Sequence, residues 1–274
     1  MQALFLDSPA RAAGQRFVIY HEPRGLARGC VVAVHPFGEE MNKARRMISL
    51  GARAIAGAGY AVLQVDLLGC GDSSGDLETA RWDDWIDDVL LALNWLEQQH
   101  DAPQWLWGTR AGCLVAAAAA QRAGRSFDFL FWQPQASGKQ VLQQFLRLKM
   151  ASQLQRGTPK GPANKLQLDL AAGRSVDVAG YRLGPGLASG LAAATLLPCQ
   201  GSRQLHWLEV TTREPAQLLP ATAPVLDHWR GAGYDVRSVA VSGPPFWQTL
   251  DIEDAPELVQ ATLDALGAST AVVQ

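Results

Sequence analysis

Gln104-Trp105-Leu106-Trp107-Gly108-Thr109-Arg110-Ala111-Gly112-Cys113 is the stretch around which the rest of the chain can be ordered. A short apolar run leads into small–x–X–x–small, and an alanine-rich segment, Leu114 to Gln121, follows. This pattern predicts a strand that turns sharply into a helix and lifts its central side chain to the top of a sheet. Gly108 and Gly112, with Ala111, suit such a turn because strand and helix backbones approach too closely for larger side chains. Enzymes that use this turn put a Ser, Cys or Asp nucleophile at its centre. Here the centre is Arg110, which stays protonated at neutral pH and cannot attack an electrophile.

Working outward, strands and helices alternate. Ala3 to Leu6 and Arg16 to Tyr20 read as opening strands. Val31-Val32-Ala33-Val34-His35 is apolar on both faces, as a strand buried in a parallel sheet is. Pro36 to Lys43 reads as a loop and about 43–57 as an amphipathic helix, with a further strand at Ala61 to Asp66. Trp82 to Gln99 has apolar residues at three-and-four spacing and predicts a helix. A strand at Phe127 to Trp132 comes after the elbow, and the alternation implies right-handed crossovers in a mostly parallel sheet. It breaks after Gln133-Pro134. There Gly138 to Gln155 reads as a helix, Leu166 to Leu170 with Ser175 to Val178 as a hairpin turning at 171–174, and Pro185 to Leu197 as a short helix. Strand, helix, strand and helix resume at Leu205 to Val210, 221–230, Val236 to Val241 and 255–266. The expectation is one core domain, 1–134 and 201–274, with a cap insertion at 135–200 after the sixth strand.

At 274 residues and 48% hydrophobic composition the chain can bury a large single core. Net charge is −2 without a basic run, so nothing electrostatic points to nucleic acid. Met1 to Asp7 lacks the basic start and apolar stretch of a signal peptide, and no segment reads as a membrane span. Cys30, Cys70, Cys113 and Cys199 have no paired spacing, which argues against zinc or disulfides and for a reducing cytoplasm.

Four stretches resemble the α/β-hydrolase superfamily: His35-Pro36-Phe37-Gly38 at its oxyanion loop, Asp66 to Gly75 at its glycine-rich loop, the elbow Gly108 to Gly112, and Trp132-Gln133-Pro134 before a cap. More narrowly, His35 to Lys43, Val178-Ala179-Gly180-Tyr181-Arg182-Leu183 and Pro245-Phe246-Trp247-Gln248-Thr249 resemble the type 2 hydrolases associated with the exosortase A system. That resemblance implies an α/β-hydrolase fold, a mostly parallel sheet flanked by helices, and a bacterial setting near exopolysaccharide production.

The superfamily orders its triad as nucleophile, acid, histidine. Arg110 holds the first position. The loop Ser242 to Trp247, where the histidine belongs, has none, and Glu214 as acid would then orient nothing. His21, His35, His100, His206 and His228 are the five histidines, and only His35 falls at the carboxyl end of a predicted strand.

Two functions stay open. One is a binding protein whose former active site holds a small anionic or amphiphilic ligand through Phe37, Gly38, Arg110, Ala111 and Trp247, since a helix N-terminus and a guanidinium both favour an anion. The other is an unconventional hydrolase using His35 with Glu39, Glu40 or Asp66, and with Arg110, on a carbohydrate- or lipid-linked substrate. Against both stands a plain ion pair from Arg110 to Glu39, Glu40 or Asp66, because a charge placed there needs a partner. His35, Glu39, Glu40, Asp66 and Asp72 as metal ligands are less favoured, since carboxylates beside an arginine are usually its counter-ions. No metal and no cofactor are expected. Cys70 and Ser73 lack an evident base, Cys113 reads as core, and Trp107, Trp132 and Trp247 could wall a pocket.

Overall fold

A computed structural model describes residues 1–9, 12–155, 165–199, 201 and 203–267, with backbone alone for 150–155. The chain begins β1 (Gln2–Ser8), β2 (Gly14–His21), β3 (Gly29–Val34), α1 (Glu39–Gly57), β4 (Tyr60–Val65), α2 (Trp82–Gln99). It continues β5 (Gln104–Thr109), α3 (Gly112–Ala123), β6 (Asp128–Trp132), α4 (Gly138–Gln155), α5 (Lys165–Ala171), β7 (Val176–Val178), β8 (Tyr181–Leu183) and α6 (Pro185–Ala193). It closes with β9 (Gln204–Thr211), α7 (Thr222–Gly231), β10 (Asp235–Ser242) and α8 (Pro256–Ala265).

The eight-stranded sheet has the order β1-β2-β4-β3-β5-β6-β9-β10. β2 pairs antiparallel with both β1 and β4, and the remaining pairings are parallel. The central strands are buried on both faces, and their side chains divide by the period of two. Val31, Ala33, Trp105, Trp107, Leu130 and Trp132 face α1 and α8. Cys30, Val32, Val34, Leu106, Phe129 and Phe131 face α2 and α3. This is the α/β-hydrolase architecture that the motifs imply, and β5 stands at its centre.

Between β6 and β9 the chain leaves the sheet. α4 begins and ends where its periodicity predicts, and it packs on α6. The expected hairpin is corrected. Leu166 to Leu170 is helical, because Leu166 and Leu170 share one helical face while Leu168 is 56% exposed, so the apparent alternation is only half buried. The real hairpin pairs Val176 with Leu183 and Val178 with Tyr181. It turns through Ala179 and Gly180, both at positive φ (50° and 87°), the backbone that tight two-residue hairpins need. Residues 156–164 and 200 of the expected cap lie outside the described residues. Among the described residues no helix is long and apolar enough to cross a membrane.

Candidate functional site

The elbow forms as its small residues require. Arg110 has φ 55°, a left-handed conformation that costs a non-glycine residue about 1–3 kcal/mol and persists only where the surroundings impose it. Those surroundings are close. A Cβ on Gly108 would lie 2.5 Å from the Cys113 Cα, and one on Gly112 would lie 2.3 Å from the Val34 carbonyl oxygen. Arg110 N–H donates to Trp132 O (2.9 Å) and Cys113 N–H to Arg110 O (3.2 Å), which locks strand end to helix start. The Arg110 side chain therefore rises from the carboxyl edge of the sheet.

Its guanidinium is enclosed by protein partners. Nη2 donates to Glu40 Oε1 (2.9 Å) and Nε to Glu40 Oε2 (3.2 Å), a bidentate fork. The Gln135 side-chain oxygen, with its amide oriented by its neighbours, accepts from Nη1 and Nη2 at 2.7 and 2.6 Å. The Trp247 ring lies 4.9 Å from the guanidinium carbon, a cation–π distance. Of the three carboxylates considered for this charge, Glu40 is the one that takes it. α1 begins at Glu39, so both glutamates occupy its first turn, where carboxylates are favoured, and there Glu39 meets the Tyr181 hydroxyl while Glu40 meets Arg110.

Asp66 and His35 form a second group. Asp66, at the end of β4, accepts from Arg45 Nη2 (2.9 Å) and the Asp72 amide (3.1 Å). His35 Nε2 lies 3.8 Å from Asp66 Oδ1, too far for a hydrogen bond. Burial pushes the His35 pKa down to about 4 against the opposing pull of Asp66, so the ring is neutral at pH 7 and the contact is not an ion pair. Its Nδ1 has no hydrogen-bond partner among the described residues. Glu39 is engaged elsewhere, accepting from the Tyr181 hydroxyl at 3.4 Å. Among the described residues no three His, Cys, Asp or Glu side chains gather to hold a metal, so the alternative grouping of His35, Glu39, Glu40, Asp66 and Asp72 is not assembled.

Other candidates take structural places. The loop after β10 brings Trp247 over the elbow. Glu214, after β9, is exposed. His21 meets Gln64 Nε2 at 2.7 Å, His100 meets the Tyr20 hydroxyl at 2.6 Å, and His206 stacks on Trp105. The Ser73 hydroxyl donates to Asp66 O (2.5 Å) and accepts from the Phe17 amide (2.8 Å). Burial, reinforced by Asp66 and Asp88, pushes the Cys70 thiol up to about 12, so no thiolate forms near neutrality. Cys113 is buried, as expected of a core residue.

A cavity of about 300 Å³ opens above the elbow. Its floor is Arg110, Glu40, Gln135 and Trp247, with Glu39, Lys43 and Gln248 around them. Its roof is α4: Val141, Gln144, Phe145 and Leu148 line it, and Val141 and Phe145 are at the same time buried with Leu142 and Leu146 in the main core cluster. The Met150 side chain lies outside what is described. Phe145 packs against Phe37 with centroids 4.6 Å apart and the rings tilted by 55°, so the helix rests directly on the loop after β3. Phe37, Arg110 and Trp247 thus share one cavity, whereas Ala111 lies with His35 beside a void of about 10 Å³. Gln135, Gln144, Lys43 and Gln248 were not singled out from the sequence. Gln135 could have been, since it directly follows the Trp132-Gln133-Pro134 motif.

The architecture recurs in solved structures. Est1E from Butyrivibrio proteoclasticus with bound ferulic acid superposes with TM-score 0.66 and 14% identity, covering 97% of this chain and 100% of that one. XC6422 from Xanthomonas campestris, described as an α/β serine hydrolase without a lid, gives TM-score 0.57 and 16% identity over 97% and 93%. A putative hydrolase from Agrobacterium vitis gives TM-score 0.60 and 13% identity over 97% of each chain. At such identities these likenesses speak for the fold alone. No curated protein matches the sequence. The family model Hydrolase_4, serine aminopeptidase S33, matches residues 25–183, more than half of the chain and inclusive of the elbow. By that match the chain belongs to the Hydrolase_4 (serine aminopeptidase, S33) family of α/β hydrolases.

Proposed function

We propose that the chain is a ligand-binding protein on a hydrolase scaffold, holding a small amphiphilic molecule between the elbow and α4, without acyl-transfer chemistry at the elbow. The observation that carries this is the identity of the two side chains at the elbow. An arginine stands at the apex, where a nucleophile would be, and a tryptophan from the loop after β10 covers it, where a histidine would be. Neither side chain can generate or relay the proton of an attacking group. The charge on Arg110 is met by Glu40, so the arginine serves to build the pocket floor. The apolar roof of Val141, Phe145 and Leu148 supplies the hydrophobic half of the recognition. We place residues 135–200 as a cap. The resemblance to exosortase-associated type 2 hydrolases puts the ligand near exopolysaccharide metabolism, and four free thiols agree with a reducing cytoplasm.

The test is paired. Purified protein should hydrolyse p-nitrophenyl acetate and butyrate no faster than a denatured control, and Arg110→Ser should not restore turnover, because the loop after β10 presents Trp247 to the elbow instead of a histidine. Turnover by the native protein above that control would overturn the reading.

A second reading is favoured by one observation: near Asp66, the Nδ1 of neutral His35 has no partner among the described residues. In that reading His35 acts as a weak general base. Any esterase or glycosidase activity abolished by His35→Gln with an unchanged fold would support it.

A further inference from the structure

We infer that the rim of the elbow cavity is an interface between two copies of this chain, related by a twofold axis that sets the basic side of one rim against the acidic side of the other. The inference is independent of what the cavity holds. It begins with how charge is distributed along the chain. Six of the 24 Lys and Arg, and none of the 26 Asp and Glu, fall between Asp128 and Asp169. After Arg237 the balance inverts, with five acidic residues and no Lys or Arg. The fold carries one stretch to each side of the cavity: α4 roofs it, and Trp247 and Gln248 meet it from the floor.

The charged side chains stand at the rim. On α4, Gln144 and Leu148 line the cavity, and the exposed Arg147 lies beside both on the helix surface. Lys139 is exposed at the start of the same helix. On the other side the chain leaves the cavity at Gln248 and is fastened to α1 at Asp254, which forks onto Arg46. The five residues between those two anchors include Asp251 and Glu253, both exposed, and Glu257 is exposed in the first turn of α8. Arg147 and Lys139 on one side, and Asp251, Glu253 and Glu257 on the other, make no ion pair among the described residues. Aliphatic side chains stand among them in water: Leu148 is 41% exposed, Leu250 99% and Ile252 78%. Leu250 is two residues from Gln248, hence within about 7 Å of the lining, and apolar groups gathered at a polar rim mark a contact surface.

The pairing of signs selects the occupant. An anionic membrane would accept α4 and repel the acidic loop, and a partner of single sign would satisfy one side only. A second copy, turned about an axis lying across the mouth, presents its acidic loop to α4 and its α4 to the acidic loop. Both halves are then matched at once, and the aliphatics of the two copies meet between them.

Sedimentation equilibrium of the full chain tests this. Wild type should dimerise with a dissociation constant on the order of 10 μM or tighter at low salt, and high salt should weaken it at least about tenfold by screening the rim charges. Arg147→Glu or Asp251→Arg alone places two like-charge contacts in each dimer and should weaken it at least about tenfold. Both residues are exposed, so melting temperatures should stay near wild type. Mixing the two variants should restore a heterodimer, because each reversed charge then meets its opposite. A monomeric wild type at low salt, a dimer that neither reversal weakens, or variants that fail to pair on mixing overturns the inference. So does a monomer that sediments with phosphatidylglycerol vesicles, which would assign the rim to a membrane.

Discussion

Arg110→Ala isolates what the elbow arginine does. Alanine keeps a Cβ, so the left-handed backbone strain at this position is unchanged, and only the guanidinium and its stem are removed. The Arg110 and Glu40 side chains are 10% and 28% exposed, between an exposed pair and a fully buried one. Exposed pairs contribute about 0.2–1 kcal/mol, and breaking a buried one costs about 3–5 kcal/mol, so about 2 kcal/mol is the share of Glu40. The stacked Trp247 adds about 1 kcal/mol. The sum of about 3 kcal/mol corresponds to roughly 6–12 °C in Tm for a chain of this size. Differential scanning calorimetry of ligand-free wild type, Arg110→Ala, Glu40→Gln and the double variant reads it directly. The two single losses should overlap, with a coupling of about 1–2 kcal/mol in the cycle. If Arg110→Ala melted within about 1 °C of wild type, or the two changes were additive, the arginine would not be a structural partner of Glu40.

Three further outcomes follow from the packing and the buried histidines. His21, His35 and His206 are each held neutral by burial, with pKa lowered to about 4 from the usual 6.5. Their stabilisation is present above about pH 6.5 and is lost as pH falls toward 4, because the unfolded chain binds up to three more protons in that window. The slope from these groups approaches roughly 4 kcal/mol per pH unit, so urea midpoints that stay level from pH 6.5 to 4.5 would contradict it. His206→Phe should be neutral or stabilising at pH 7 and shallower in acid, since both ring nitrogens lack partners among the described residues and the ring stacks on Trp105; a large loss at pH 7 would contradict this. Gly51→Ala should destabilise by about 1–3 kcal/mol, because its Cβ would lie 2.6 Å from Trp132 and 2.8 Å from Trp107, and circular-dichroism melts showing no loss would mean α1 can shift.

The sheet was legible because each strand carries its own signal. Val31 to Val34 and Phe129 to Trp132 are apolar at every position, which only strands covered on both faces require. The elbow was legible from Gly108 and Gly112, whose missing Cβ atoms the strand–helix contact demands. The region after β6 was harder. Leu166, Leu168 and Leu170 alternate like a strand, and only burial reveals that Leu166 and Leu170 are one face of a helix. Gly173 follows that helix, with its amide donating to Leu170 O, so the turn that the sequence suggests at 171–174 ends a helix instead of joining two strands. The start of α1 also mattered for the site. With Glu39 and Glu40 in a loop the partner of Arg110 is open among three carboxylates; with both in the first turn of α1, Glu39 meets Tyr181 and Glu40 meets the guanidinium. Trp247 over Arg110 is a contact between the loops after β5 and β10, strands that two others separate in the sheet, and no spacing in the sequence encodes it.

On the proposed reading, neither the elbow nor the glycine-rich loop carries an activated nucleophile. Intact-mass spectrometry after incubation with excess fluorophosphonate probe measures this in one step. Ser73 is tied to Asp66 and Phe17, Cys70 is held as a thiol, and Arg110 is inert, so the mass should stay unchanged at neutral pH. Stoichiometric addition of one probe, mapped by peptide sequencing to Ser73, Cys70 or any residue lining the cavity, would contradict it.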